Sequence, residues 1–276
     1  MKIGILLLVR MNSHRLPGKA LKDLCGKPVL EQVIRRLQKV ENAPHLVVTT
    51  TDTWRDDVIV DLCEKIGVSW FRGSEDNIIE RCIGAAEAHG LDAFVRLGAD
   101  EPFADWQIIG DMVDDFLAEH AKGNALEYLG SGMDRSFPIG LDADVMTLQC
   151  LHKEVKEIKD LPKDERFLNE QNVIPFIQQH PEIFNIKPFK KDFDYSHLRW
   201  TLDTPEDFDF ALRVYKAFEG KKEEFLMQDI LELLEEHPEW IMINSHVVQQ
   251  TGYWTDIEKK KLEKRLSGDE LDQAVG

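Results

Sequence analysis

The stretch "IGILLLVRMNSHRLPGKAL", residues 3–21, opens with an unbroken apolar run and then places Arg10, Arg15 and Lys19 on one short segment. A run apolar at every position reads as a strand covered on both faces, which belongs to a parallel sheet sandwiched by helices. The cations behind it are out of keeping with the whole chain, which carries 51 Asp+Glu against 34 Lys+Arg and a formal charge of −17. Cations gathered on one loop of so acidic a protein point to a local anionic ligand.

Outward from this segment, strand and helix patterns alternate. Val29, Leu30, Val33, Ile34 and Leu37 recur at helical spacing, and "HLVVTTT" (45–51) is rich in β-branched residues. A helix over 58–66, a short strand "VSWF" (68–71), a helix over 78–89 and a strand "AFVRL" (93–97) follow. This βαβαβαβ order predicts an α/β fold with a parallel sheet. Ligands of such sheets sit beyond the carboxyl ends of the strands, where loops 9–20 and 98–105 would meet.

The second half is less regular. Residues 126–150 read as two strands around a Gly- and Pro-bearing turn, an inserted β arm. Residues 166–180, 205–218 and 224–236 read as helices, with a strand in "IFNIKPF". A charged helix pattern covers 256–267 and a frayed tail ends the chain. No repeat or low-complexity linker appears, so the expected organisation is one domain over 1–218, with its arm at 126–150, and a C-terminal helical extension over 219–276.

Composition narrows the function classes. A charge of −17 opposes general binding to nucleic acid or to an anionic membrane, both of which need broad positive fields. Cys25, Cys63, Cys82 and Cys150 show no Cys-x-x-Cys pair, and Cys63 and Cys82 fall on helix faces as buried thiols would. The first apolar run is too short to span a bilayer. A cytoplasmic location is expected.

The loop itself matches neither Gly-x-x-x-x-Gly-Lys-Ser/Thr nor Gly-x-Gly-x-x-Gly. Guanidinium forks and an ammonium at a strand end can hold a triphosphate and neutralise a leaving pyrophosphate. Gly18 would let backbone amides approach a phosphate oxygen. Taken alone, these features serve a solvated basic loop equally well.

The fuller string "RMNSHRLPGKALKDLCGKPVLEQVIRRL" (10–37) resembles the opening of the cytidylyltransferases that activate sugar acids. The branch it is most similar to is that of the spore-coat polysaccharide biosynthesis protein F-like enzymes, with ketodeoxyoctonate and acylneuraminate cytidylyltransferases as cousins. Arg10, Ser13, Arg15, Leu16, Pro17, Gly18, Lys19, Gly26, Lys27 and Pro28 fall in register, while Val9 replaces the usual Ala. Similar segments recur at 71–86, at "VRLGADEPFAD" (95–105), at 137–151 and at "LRWTLDTPEDFDFA" (198–211).

The resemblance implies a Rossmann-like nucleotidyltransferase fold of the GT-A type and transfer of CMP from CTP to a sugar acid, with release of pyrophosphate. It implies Arg10, Arg15 and Lys19 as the catalytic cations, and Arg10, Asn12, Ser13, Gly18, Lys19, Ser74 and Asp100 around the nucleotide. Asp100 and Asp203 would hold Mg²⁺, a hard cation suited to carboxylates and phosphate oxygens. Asp203 could instead simply cap the helix that starts near Pro205. Arg135, Asp142, Asp144, Gln171, Asn172 and Arg199 would face a small acidic sugar. A homodimer is expected, with the arm reaching the partner's site.

The match breaks in three places. Gly98-Ala99 stands where the family has Thr-Gly or Gln-Gly, and Glu101 follows Asp100 as in the octulosonate enzymes. Gln171-Asn172 replaces a Glu-His pair on the sugar side, so an altered acceptor or a weakened nucleotide-binding homologue is open. A GT-A glycosyltransferase is a further alternative, with Asp142-Ala143-Asp144 as its Asp-x-Asp.

Overall fold

A computed structural model of the chain describes residues 1–13, 15–222 and 224–247. The charged pattern at 256–267, the tail and His14 lie outside the described residues. Strand β1 (Ile3–Leu8) is buried at every position. Its alternate side chains feed two cores: Ile5 and Leu7 one, Leu6 and Leu8 the other. This is the two-sided burial that the unbroken apolar run requires.

The elements that follow are α1 (Val29–Leu37), β2 (His45–Thr51), α2 (Asp57–Ile66), β3 (Ser69–Gly73), α3 (Ile78–Ala88) and β4 (Ala93–Gly98). Then come α4 (Trp106–Ala121), β5 (Tyr128–Gly130), β6 (Asp144–Thr147), α5 (Leu148–Ile158), α6 (Lys163–Glu170) and α7 (Pro175–Gln179). Strand β7 (Ile186–Pro188), α8 (Pro205–Phe218) and α9 (Met227–Glu236) complete the order. The strands form one sheet in the order β3-β2-β1-β4-β6-β5-β7. Among the seven described strands only β6 runs against its neighbours; β3, β2, β1 and β4 pair in parallel, as do β5 and β7.

The first half follows the sequence expectation closely. The second half keeps the expected helices at 205–218 and within 224–236 and the strand in "IFNIKPF", and corrects the rest. The two strands of the expected arm are interior members of the sheet, with Tyr128, Leu129, Val145 and Met146 each at 0% exposure. Both strands are apolar on both faces, so they bury in the sheet instead of standing off it. Only the connection 131–143 leaves it, and Ile139 there bridges to Arg199. The uncovered hairpin that motivated the homodimer is therefore absent, and that expectation keeps only the family resemblance behind it.

The expected helix over 166–180 is two helices, α6 ending at Glu170 and α7 starting at Pro175, where proline's missing amide and its ring suit a helix start and not a helix interior. Helices α4 and α5 were not anticipated. Helix α4 carries legible signals: the Asp105 carboxylate accepts from the Gln107 and Ile108 amides at 2.9 and 3.2 Å, and Ile109, Met112, Val113 and Phe116 share its buried face. Helix α5 buries Glu154 between Leu151 and Ile158, and that charge interrupts the apolar spacing.

Candidate active site

The cationic loop is tied down at its start. The Val9 amide donates to the Thr49 carbonyl at 3.0 Å, and the Met11 amide to the Asp56 carboxylate at 2.8 Å. Asp56, 1% exposed, also accepts from the hydroxyls of Thr50 and Thr51 and from the Thr51 amide. Burial pushes its carboxyl up, but these bonds outweigh burial and leave it below the ordinary carboxylate range. Sequence reading overlooked Asp56; a buried carboxylate behind "TTT" collects the donors that a polar strand end presents. At its far end the loop closes at Gly18, whose φ of 68° suits glycine, and a short 3-10 turn over Lys19–Leu21 buries Ala20 and carries Lys19.

Lys19 Nζ donates to Asp100 at 2.8 Å and to Asp203 at 2.9 Å. The Arg15 guanidinium meets the other Asp203 oxygen at 2.8 Å. The two acidic loops are sewn together: the Leu202 amide donates to the Asp100 carbonyl at 2.8 Å, and the Thr201 hydroxyl to the same carbonyl at 3.2 Å. Burial pushes the Lys19 ammonium down, yet the two carboxylates prevail and hold it above the ordinary lysine range. Burial likewise pushes Asp100 up, and Lys19 brings it below the usual range. Gly98 is explained here: a Cβ at that position would overlap the Asp100 carboxylate. The expected family Thr or Gln could stand there only if Asp100 pointed elsewhere.

Asp203 does not cap α8. Thr204 does, accepting from the Asp207 amide within a capping box. Arg199 takes a supporting part. Its Nε and Nη2 each donate to Asp207 at 2.8 Å, and Nη2 also reaches Asp203 at 3.4 Å. Asp207 in turn accepts from the Asp203 and Thr204 amides and from Asn244. With its guanidinium committed to this buried network, Arg199 orients Asp203 and is poorly placed to fork onto a substrate carboxylate.

The remaining expected residues divide. Arg10 is exposed at the head of the loop, and the Asn12 amide donates to Glu75 at 3.3 Å, bringing this loop to the end of β3. Ser74 accepts the Asn77 amide at 3.0 Å beside it. Ser13 and Gly18 lie on the loop and make no side-chain contact with the acidic pair. Arg135 pairs with Asp142. Asp144 is 5% exposed, accepts from the buried Tyr128 hydroxyl and pairs with Arg96 at 3.2 Å, so its carboxylate is engaged in a buried ion pair. Gln171 ends α6, and the Asn172 amide folds back on the Leu168 carbonyl at 3.4 Å; among the described residues no bond ties either to Lys19, Asp100 or Asp203.

Two carboxylates from separate loops converge on one cationic position. That donor set suits Mg²⁺, which favours one or two carboxylates completed by phosphate and water. Cations flanking it suit a triphosphate.

The sequence model of the cytidylyltransferase family matches residues 4–235, and the chain belongs to that family. It is similar to the spore coat polysaccharide biosynthesis protein SpsF of Bacillus subtilis, 26% identical over 86% of this chain and 95% of that one. It is 33% identical to the 3-deoxy-manno-octulosonate cytidylyltransferase of Trichlorobacter lovleyi over 42% of this chain and 46% of that protein. The structure of a cytidylyltransferase from Leptospira borgpetersenii superposes with a TM-score of 0.78 at 30% identity, covering 92% of this chain and all of that one. No described helix is long and apolar enough to cross a membrane.

Proposed function

We propose that this cytidylyltransferase transfers CMP from CTP to a sugar acid, releasing pyrophosphate, in the synthesis of a surface polysaccharide or glycan. The observation that carries the reading is Lys19 held between Asp100 and Asp203 at 2.8 and 2.9 Å, at the strand ends where such sheets bind ligands. An acceptor hydroxyl attacks the α-phosphorus, a new P–O bond forms, and the bond to pyrophosphate breaks. Lys19, Arg15 and Arg10 hold the triphosphate and neutralise charge on the leaving group. Asp100 and Asp203 would hold Mg²⁺, which supplies charge stabilisation at the phosphates. Arg199 and Asp207 keep Asp203 in place.

Support for a sugar acid comes from the "ADEPF" loop and from the likeness to the octulosonate enzyme over 119 residues. Arg135, beside Asp142 on the connection 131–143, is the arginine better placed for the acceptor carboxylate, since Arg199 is committed elsewhere. The reading extends to a homodimer, which light scattering at micromolar concentration measures. The decisive assay is pyrophosphate release from CTP over a panel of octulosonic and nonulosonic acids with Mg²⁺. Turnover of a nucleotide sugar without pyrophosphate would favour a glycosyltransferase instead, and CTP binding without turnover a non-catalytic homologue.

A further inference from the structure

A cavity of about 530 Å³ opens between α1, the first turn of α4 and the segment after α8, and none of the catalytic residues named above lines it. Its wall carries Lys27, Arg35, Arg36, Lys39 and Lys222. Among the described lining residues only Glu219 and Glu224 oppose them. Five cations around one hollow stand out in a chain of charge −17, although Arg35, Lys39 and Lys222 each pair with a carboxylate, Glu31, Glu224 and Asp229.

Arg36 is the unusual member. It is 5% exposed, and its guanidinium sits between the rings of Trp106 and Phe225, at 5.1 and 4.6 Å from their centroids. It donates to the carbonyls of Ala104 and Phe225, both at 2.8 Å, and to that of Phe103 at 3.4 Å. These are neutral acceptors; no ion pair to a carboxylate joins Arg36 among the described residues. Burial pushes this guanidinium down against the fields of Asp105 and Asp229, which act on it without direct contact, and an anion in the adjoining hollow would add a direct counter-charge. Lys27 likewise makes no ion pair among the described residues. Arg35 and Lys39 pair with Glu31 and Glu224 at the surface, and such exposed pairs rearrange at little cost.

We propose that this cavity binds a small phosphate-bearing anion, with Lys27, Arg35 and Lys39 on the phosphate oxygens and Arg36 as the fixed charge behind them. Its volume suits a sugar phosphate. The ligand would rest against the segment that follows Asp100, because Arg36 holds the Phe103 and Ala104 carbonyls and the Tyr215 hydroxyl, on the same wall, donates to the Pro102 carbonyl at 2.6 Å. The inference is independent of the acceptor assigned above.

Calorimetric titration of the full chain tests it, with fructose 1,6-bisphosphate in one arm and inorganic phosphate in the other. Wild type, Lys19→Ala, Lys27→Ala and the double variant Arg35→Glu/Lys39→Glu are compared, with thermal melts to confirm folding. Binding should be equal in wild type and Lys19→Ala, and at least about tenfold weaker in Lys27→Ala and in the double variant. A clear preference for the bisphosphate identifies a phosphate ester as the ligand; equal affinity identifies free phosphate, and both support the site. Absence of binding in both arms up to ~10 mM overturns the proposal. So does binding that is lost in Lys19→Ala and kept in folded Lys27→Ala and double variants, because the anion would then occupy the catalytic loop.

Discussion

Lys19 and Asp203 stand 184 positions apart in the chain and meet at 2.9 Å, with Asp100 closing the triangle. Two carboxylates at this distance from one ammonium would repel each other without it. Lys19→Ala should therefore lower kcat/KM for CTP by ~10²–10³, the usual loss for one preorganised charge at a developing anion. Steady-state pyrophosphate release checks this, and an unchanged kcat/KM would remove Lys19 from the site.

The same triangle sets a pH dependence. Asp100 titrates below its ordinary range, so its contribution is present above the unfolded carboxylate value of about 3.9 and fades as pH falls through the lower folded value. Lys19 titrates above its ordinary range, so its contribution is present below about 10.4 and fades as pH rises through the higher folded value. Lys19→Met should melt lower than wild type by several degrees at pH 7, with the gap closing toward pH 3. A gap that stays constant with pH would show that lost packing, not charge, is responsible.

Asp100→Asn and Asp203→Asn should separate. Asp100 meets Lys19 alone among the described side chains, so its variant should raise the Mg²⁺ needed for half-maximal activity and lower the melting temperature less than Asp203→Asn does. Asp203 also engages Arg15 and Arg199, so its variant should lose activity and loosen the loop. Activity measured against Mg²⁺ concentration distinguishes the two, and full activity of either variant at limiting Mg²⁺ would discard that residue as a ligand.

Asp207 is fully buried and accepts from Nε and Nη2 of Arg199, so Asp207→Ala takes the two shortest carboxylate contacts from a buried guanidinium that still reaches Asp203 at 3.4 Å. Removing one partner of a buried pair costs about 3–5 kcal/mol. Urea unfolding should show a loss of that size. A loss below 1 kcal/mol, on the ~1.4 kcal/mol per tenfold scale, would mean that Arg199 finds another anion.

Gly98→Thr restores the residue usual in the family and should displace the Asp100 carboxylate from Lys19, because a Cβ there overlaps it. Activity should fall while the fold persists. Higher activity would show that Asp100 works better in another orientation.

How much of this was legible in the sequence depended on where partners lie. The first four strands announced themselves because β1 is apolar at every position and each consecutive pair is joined through one helix with clear apolar spacing. Lys19, Arg15, Asp100 and Asp203 were singled out because their loops carry residue strings that resemble a family's, and the fold brings the four together. Asp56 and Asp207 were missed as anchors because their partners are backbone amides and hydroxyls, which leave no compositional trace. The ion pairs of Asp144 and Arg199 were illegible for a related reason: a charged residue looks available until its buried counter-ion is seen. Helix α5 was obscured because its buried face includes Glu154, whose carboxyl burial pushes well above the usual range and for which no hydrogen-bond partner is found among the described groups.

The span between Lys19 and Asp203 also has a meaning for synthesis on the ribosome. A nascent chain that has emerged as far as β7 holds the cationic loop and Asp100 but not Asp203 or the Arg199–Asp207 anchor. Such a chain carries Arg15 and Lys19 short of one carboxylate partner, and it cannot yet hold the geometry that chemistry needs. Completion of the second half is thus a built-in delay: the molecule becomes competent only when its late segment returns to its earliest loop, and contacts so distant in sequence are slow to form.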